Sequence, residues 1–169
     1  MYFAPAGSIE FFSAHIDAMS HVEYLASMGN VKLKSHFHCV YNLQFHLVLV
    51  TKFRRKCFTP EILTFLKETS EELCQKWDCD VVEFGGEEDH IHLLISCHPS
   101  MQMSIFVNNL KTVTSRLTRK RFAQHLRPFY SKPLLWTRAY CLLTTGGTTI
   151  ETIRKYIENQ GRHSFPLKI

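Results

Sequence analysis

The sequence predicts an α+β fold in which helices pack on one face of an antiparallel sheet, and three observations lead to this expectation. Short β-branched and aromatic runs alternate with long segments in which apolar residues recur at helical spacing. Their order is strand, helix, strand, strand, helix, strand, helix, which is the split βαβ order of ferredoxin-like (RRM-like) sheets. At 169 residues, the chain has the length of one domain that folds without disulfides.

The first clear strand signal is the run CVYNLQFHLVLVTK, which begins at Cys39. Its β-branched and aromatic residues predict one long, largely buried strand. Residues 1–36 show no regular period, and we treat them as an N-terminal extension without an assigned role. Residues 37–169 are then expected to form a single domain.

The first helix is predicted to begin at Thr59, which can cap its N-terminus, with Pro60 at the first helical position. Apolar residues recur at helical spacing as far as about Lys76. They are Ile62, Leu63, Phe65, Leu66, Leu73 and Trp77. This pattern predicts an amphipathic helix with one buried face.

A β-hairpin is predicted next from two short apolar runs, DVVEFG and HIHLLISC. The residues between them, from Gly86 to Asp89, are polar or suited to turns. We therefore expect two adjacent antiparallel strands.

The second helix is predicted to follow Ser100 as its N-cap, with its basic groups away from an apolar side. That apolar side comprises Ile105, Phe106, Val107, Leu110, Val113 and Leu117. Residues 125–137 are typical of an ordered loop, and AYCLLTT of another strand. After a pair of glycines, Thr148 or Thr149 can cap a final helix, ETIRKYIENQ.

Cysteine usage and hydropathy indicate an intracellular protein. None of the six cysteines forms a CxxC pair, and Cys39, Cys97 and Cys141 lie in apolar runs where a free thiol packs as a small hydrophobe. No apolar run reaches the ~18 residues of a membrane span, and the N-terminus lacks the features of a signal peptide. We expect a cytoplasmic protein with no membrane association.

The placement of charge indicates a polyanionic partner. No Asp or Glu occurs from His90 through Ile150, although that stretch carries eight Lys and Arg residues. A second basic cluster around Phe53 comprises Lys52, Arg54, Arg55 and Lys56. Cationic groups interleaved with aromatic rings are typical of nucleic-acid binding, although a solvated basic surface remains the alternative.

Two residue pairs could carry chemistry. His90 and His92 are two positions apart on a predicted strand, so both imidazoles project from one face while Ile91 points to the other. Tyr156 and Gln160 are four apart on the final predicted helix and share one helical face. Each pair alone has a simpler explanation: the histidines could be an ordinary surface pair, and the tyrosine could belong to the core. The interpretation therefore depends on both pairs occurring in the same sequence.

Three segments together resemble the HUH-type single-tyrosine transposases of the insertion-sequence 200/605 group: DHIHLLIS, LWTRAYCLLTTG and IRKYIENQ. The segment YNLQFHLVLVTKFRRKCF is also similar to the opening strand and basic loop of that family, and the resemblance extends over roughly residues 37–161. It implies that His90, His92 and Gln160 hold Mg²⁺ or Mn²⁺ and that Tyr156 is the nucleophile. The implied reaction cleaves and rejoins single-stranded DNA through a 5′-phosphotyrosine.

The resemblance also implies partners. Members of the family recognise DNA hairpins at transposon ends and act as homodimers with shared active sites, in a prokaryotic cytoplasm and on the nucleoid when bound to DNA. Our candidates for contact with DNA are Lys52, Phe53, Arg54, Arg55, Arg119 and Arg121.

Other functions remain open at this stage. The chain could be a catalytically silent module that binds single-stranded nucleic acid, or a domesticated relative. A nickase of the replication-initiator or relaxase type is not expected, because such proteins usually have additional domains that do not fit a chain of this length. A zinc protein is a further alternative because His36, His38 and Cys39 lie close together, but no second ligand pair accompanies them.

Overall fold

A computed structural model describes residues 33–36 and 38–144. The described residues up to Asn42 and those from Leu43 to Thr144 belong to two separate compact units, which are treated separately below. In the first unit, β1 (Lys34–His36) and β2 (Cys39–Tyr41) pair as antiparallel strands. The predicted final helix, which contains Tyr156 and Gln160, lies outside the described residues.

The prediction of one long strand from Cys39 was wrong, because the chain leaves strand geometry at Asn42 and Leu43. The next strand, β3, comprises only Gln44–Val50. The break coincides with a change of partner, since β2 pairs with β1 whereas β3 pairs with two other strands. Local β propensity is the same on both sides of the break and could not reveal it.

The second unit contains a four-stranded antiparallel sheet with β3 at its centre. The other strands are β4 (Asp80–Glu87), β5 (His90–Ser96) and β6 (Cys141–Thr144), and the spatial order is β4-β5-β3-β6. Strands β3 and β4 therefore run parallel with β5 inserted between them, which is the split βαβ arrangement. The predicted α+β, ferredoxin-like class is confirmed.

Helix α1 (Pro60–Lys76) begins where the sequence predicts. The Thr59 hydroxyl accepts a hydrogen bond from the Ile62 amide at 3.3 Å, and Pro60 occupies the first turn, where no backbone donor is needed. The helix ends before Asp78, whose positive φ of 52° is a left-handed conformation that Asp tolerates better than most residues.

Helix α2 (Met103–Arg121) begins later than predicted. Ser100 does not cap it, because its hydroxyl lies 2.7 Å from the His98 ring nitrogen within the preceding turn. Ile105 was also assigned wrongly to the buried side, since 51% of it is exposed, whereas Phe106, Val107 and Leu110 are fully buried.

The main core lies between one face of the sheet and the two long helices. Leu47 and Leu49 of β3 alternate into it, as do Ile91, Leu93 and Ile95 of β5, and all five are 0% exposed. The Trp77 ring packs edge-on against Phe106 with centroids 5.7 Å apart. Because these residues fill one face, the alternate residues of β5 project from the other.

The β4–β5 hairpin is tighter than predicted. Gly86 and Glu87 continue the strand ladder opposite Ile91 and His90, so only Glu88 and Asp89 form the turn. The strands extend further because the backbone of these polar residues still completes ladder hydrogen bonds.

The segment between α2 and β6 is largely an ordered loop, as predicted, but it opens with a short helix, α3 (Ala123–Leu126). All six cysteines are free thiols. Cys97 and Cys141 are buried as predicted, whereas Cys39 is exposed, contrary to expectation. Within the described ranges, no helix is both long and apolar enough to cross a membrane.

Candidate metal and nucleic-acid site

His90 and His92 lie on the sheet face opposite the main core, as the strand alternation predicts. Ile91 between them is fully buried in that core. The two imidazole centroids are 6.4 Å apart and the ring planes are inclined at 37°. Two imidazoles from one strand thus face the same side of the sheet.

A hydrogen bond to Asp89 determines the tautomer of His90. The Nδ1 atom of His90 lies 2.9 Å from Oδ1 of Asp89, and both residues are 6% exposed. Because an ionised carboxylate only accepts, Nδ1 carries a proton, so in the neutral ring the lone pair that can bind a metal is on Nε2. A carboxylate behind a histidine is the usual way in which proteins orient an imidazole toward a metal.

Asp89 is itself held in its ionised form. Burial alone raises the pKa of its carboxyl, but the hydrogen bonds from His90 and Arg54 outweigh burial and leave that pKa below its ordinary value. The Nε and terminal nitrogen of Arg54 both lie 2.8 Å from Oδ2. With both oxygens engaged, Asp89 is poorly suited to take a proton from a tyrosine.

His92 is favoured in its neutral form. Burial lowers its pKa, and the charge of neighbouring His90 lowers it further, while Glu83 acts in the opposite direction. A neutral imidazole is the form that coordinates a metal ion.

Gly85 provides the space that the His92 ring occupies. The two residues are paired across β4 and β5, and a Cβ at position 85 would lie 2.1 Å from Nε2 and 2.5 Å from Cε1 of His92. Any side chain there would displace the imidazole. Sequence reasoning missed Gly85, although a glycine within a strand is a recognised sign that another group approaches closely.

Carboxylates lie near the histidines. Ligand atoms of Glu87, Asp89 and His90 are all within 4.8 Å of one another. Since the oxygens of Asp89 already bind His90 and Arg54, we assign Asp89 to orientation rather than to direct coordination. Imidazole nitrogens with an adjacent carboxylate suit a divalent ion such as Mn²⁺ or Mg²⁺, so the residues present fit the expected metal.

The basic loop after β3 is joined to this site. The Thr51 amide donates to the Asp89 carbonyl at 2.9 Å, and Arg54 binds the Asp89 carboxylate. Phe53 and Arg54 have positive φ angles of 62° and 51°, a conformation that costs about 1–2 kcal/mol for each non-glycine residue. Phe53 is left 68% exposed, and the Lys52 ammonium lies 4.9 Å from its ring centroid.

Three of the arginines predicted to contact DNA already have protein partners. Arg54 pairs with Asp89, and Arg119 donates to the Leu134 carbonyl at 2.8 Å. The Arg121 guanidinium stacks on Phe65 at 4.8 Å. Lys52, Phe53 and Arg55 directly follow Thr51, whose amide is bonded to Asp89 beside the histidine pair, whereas Arg119 and Arg121 lie on α2.

We expect Asp89→Asn to weaken Mn²⁺ binding about 10- to 100-fold, the usual effect of losing a supporting carboxylate. The amide would no longer hold His90 as the Nδ1–H tautomer, since its nitrogen can donate as well as its oxygen accept. Calorimetric titration with Mn²⁺ measures the affinity, and ¹⁵N NMR of the metal-free protein reports the tautomer.

Glu88→Gln is the matched control, because it removes one carboxylate from the same turn, where the Glu88 side chain is exposed and pairs with exposed Lys56. It should change neither measurement. Wild-type affinity together with an unchanged tautomer in Asp89→Asn would contradict the orienting role.

The chain is similar in sequence to known transposases. A family model described as "Transposase IS200 like" matches residues 39–160. The chain is 31% identical over 121 residues to the ISDra2 transposase TnpA of Deinococcus radiodurans, covering 72% of this chain and 86% of that protein. It is also 31% identical over 127 residues to the transposase for insertion sequence element IS200 of Salmonella typhimurium, covering 75% and 82% respectively.

A solved structure is also similar. The crystal structure of a Deinococcus radiodurans protein assigned as a transposase superposes with a TM-score of 0.69 at 30% sequence identity. The superposition covers 75% of this chain and 97% of that one.

Proposed function

Because the chain belongs to the IS200-like transposase family, we propose that it cleaves and rejoins single-stranded DNA at insertion-sequence ends through a 5′-phosphotyrosine on Tyr156. The observation that carries the proposal is the histidine pair. His90 presents a free Nε2 because Asp89 holds its other nitrogen, and His92 lies neutral against Gly85. This arrangement supports a metal-dependent nuclease more directly than a passive binding module.

Under this proposal, His90, His92 and Gln160 would hold a Mg²⁺ or Mn²⁺ ion. When bound, such an ion supplies Lewis-acid polarisation of the scissile phosphate. The protein positions the metal-binding nitrogens in two ways. Asp89 and Arg54 hold the orientation of the His90 ring, and the strand register places His92 opposite Gly85. Gln160 joins the set by resemblance, since it lies outside the described residues.

Tyr156 is the proposed nucleophile. Its phenolic oxygen forms a bond to phosphorus while the bond from phosphorus to the 3′ oxygen breaks, leaving a 5′-phosphotyrosine and a free 3′-OH. Because the phosphodiester bond is exchanged and not hydrolysed, a second 3′-OH can reverse the step and join strands without ATP. A phenol with an ordinary pKa of about 10 is a weak nucleophile at neutral pH, so the proposed mechanism requires that the Tyr156 hydroxyl be activated for attack.

The DNA partner is proposed to be a hairpin at a transposon end, bound with its flanking single strand. Phe53 is well placed to stack on a base, being 68% exposed with Lys52 beside its ring. Lys52 and Arg55 would contact the DNA phosphates near the histidine pair. We further propose a homodimer with shared active sites, the arrangement that the family resemblance implies.

We expect the wild-type protein to form a denaturation-resistant adduct with labelled hairpin oligonucleotides taken from the DNA that flanks its gene. The adduct should require Mg²⁺ or Mn²⁺, because the proposed transesterification depends on metal at the histidine pair. A denaturing gel with and without chelator measures this.

A matched oligonucleotide without the flanking single strand is the control, and it should bind but give no adduct. If the wild type binds every hairpin yet forms no adduct with either metal, the proposal fails and a silent DNA-binding module becomes the better interpretation.

A further inference from the structure

One carboxylate beside the histidine pair has no role in the proposed mechanism. Glu87 is the last residue of β4 and lies directly opposite His90 in the ladder. Residues in such opposite positions have Cβ atoms about 5 Å apart and project from the same face of the sheet. The Glu87 side chain is therefore an immediate neighbour of the His90 imidazole, on the face that also presents His92.

The Glu87 side chain is exposed, and its carboxylate oxygens are available to a ligand. Among the residues that the structure describes, none forms a hydrogen bond or ion pair with this carboxylate. An uncompensated carboxylate at a site that receives DNA would repel the phosphates. A divalent cation shared between Glu87 and His90 would remove that repulsion.

The distances at the turn are close to those of a shared ion. Ligand atoms of Glu87, Asp89 and His90 all lie within 4.8 Å of one another. Two ligands of one Mg²⁺ ion are at most about 4.2 Å apart, which is twice the usual metal–oxygen distance. A small rotation of the exposed Glu87 side chain would close the remaining difference. Because the oxygens of Asp89 already bind His90 and Arg54, Glu87 is the carboxylate left to coordinate.

We infer that Glu87 is a direct ligand of the divalent ion, in addition to the two histidines and Gln160. The inference rests on the proposed function in one respect, that His90 and His92 hold the ion. A carboxylate oxygen is among the ligands that Mg²⁺ and Mn²⁺ prefer in proteins. Three of the ligands would then come from the β4–β5 hairpin, so binding of the ion would not depend on Gln160 alone.

Glu83 carries the same charge as Glu87 but lacks its contact with His90. It is exposed on the same strand, on the other side of Gly85 from Glu87, and it lies opposite Leu94. Burial lowers the pKa of His92, and the charges of Glu83 and Glu87 both oppose that effect. The two glutamates therefore form a matched pair that separates coordination of the ion from attraction at a distance.

The test is calorimetric titration of the full chain with Mn²⁺ in the absence of DNA. We expect Glu87→Ala to weaken Mn²⁺ binding about tenfold or more, because losing a ligand should cost at least as much as losing a supporting group. Glu83→Ala should weaken it less than about threefold, because water and salt screen a charge that does not touch the ion. Glu87→Asp keeps the charge but withdraws the carboxylate by one methylene, so it should restore only part of the lost affinity.

Water-proton relaxation by bound Mn²⁺ gives a second measurement that a purely electrostatic role would not change. A water molecule should replace the lost ligand in Glu87→Ala, so the relaxation rate per bound ion should rise. The rate should stay at the wild-type value in Glu83→Ala. Both glutamates are exposed, and equal melting temperatures of the two variants would exclude unfolding as the cause of weaker binding.

Unchanged Mn²⁺ affinity in Glu87→Ala would overturn the inference. Equal losses of affinity in Glu87→Ala and Glu83→Ala, with no change in water relaxation, would also overturn it, because both glutamates would then act through charge alone.

His92→Ala and the covalent-adduct assay keep these outcomes distinct from the proposed function. If His92→Ala loses the ion while Glu87→Ala retains it, only the role of Glu87 is refuted. Mn²⁺ binding that requires Glu87, in a protein that forms no adduct, refutes only the catalysis.

Discussion

Replacing Tyr156 by phenylalanine is expected to abolish the covalent protein–DNA adduct while leaving hairpin affinity unchanged. Phenylalanine keeps the ring and its packing but lacks the oxygen that would bond to phosphorus. The measurement is a denaturing gel with labelled hairpin DNA and Mn²⁺, paired with an anisotropy titration without metal. Loss of the adduct with retained binding would assign the covalent step to this hydroxyl.

Other tyrosines provide the controls. Tyr130 is buried, its hydroxyl donates to the Lys52 carbonyl at 3.1 Å, and burial raises its pKa, all of which make it unsuited to attack a phosphate. Tyr140 lies with its ring 5.5 Å from the Lys111 ammonium, and Tyr140→Phe removes a hydroxyl without touching the histidine pair. Tyr140→Phe should form the adduct at the wild-type level. An adduct that persists in Tyr156→Phe would mean that a different nucleophile acts.

Replacing Gly85 by alanine is expected to weaken Mn²⁺ binding by about two orders of magnitude or more and to abolish metal-dependent cleavage. The added methyl would occupy a point 2.1 Å from Nε2 of His92, so the imidazole must rotate away or the strands must separate. Losing a direct ligand should cost at least as much as losing a supporting one, for which 10- to 100-fold is usual. Calorimetry with Mn²⁺ measures the affinity, and the gel assay measures cleavage.

Val82→Ala is the control on the same strand, because Val82 is 52% exposed and lies at the register shift between Val81 and Glu83, outside the pairing of Gly85 with His92. It should retain metal affinity and cleavage. A thermal melt of both variants separates local displacement of the ring from unfolding of β4. Wild-type Mn²⁺ affinity in a folded Gly85→Ala protein would show that His92 is not a ligand.

Local sequence patterns were enough to predict features that depend only on residues within one helical turn or one strand. Thr59 and Pro60 marked the start of α1 because capping and the missing proline donor act within four residues. The placement of His90 and His92 on one face and Ile91 on the other followed from strand alternation alone. The order of elements then predicted the sheet, because few topologies satisfy it.

Interactions between distant segments required the tertiary structure. The sequence separates Arg54 from Asp89 by 35 residues, and no local pattern indicates that they pair or that Asp89 orients His90. The role of Gly85 depends on its register opposite His92, which is a property of two paired strands. Tyr156 and Gln160 stay predictions from motif and spacing, since they lie outside the described residues.

The incorrect predictions have the same physical origin. Ser100 has the chemistry of an N-cap, but its hydroxyl binds His98 instead. The run from Cys39 has continuous strand propensity, yet it divides where its hydrogen-bonding partner changes. Secondary-structure propensity, helix capping and strand alternation depend on neighbouring residues, so they can be predicted from the sequence. The choice among competing hydrogen-bond partners depends on which distant groups the folded chain brings within hydrogen-bonding distance.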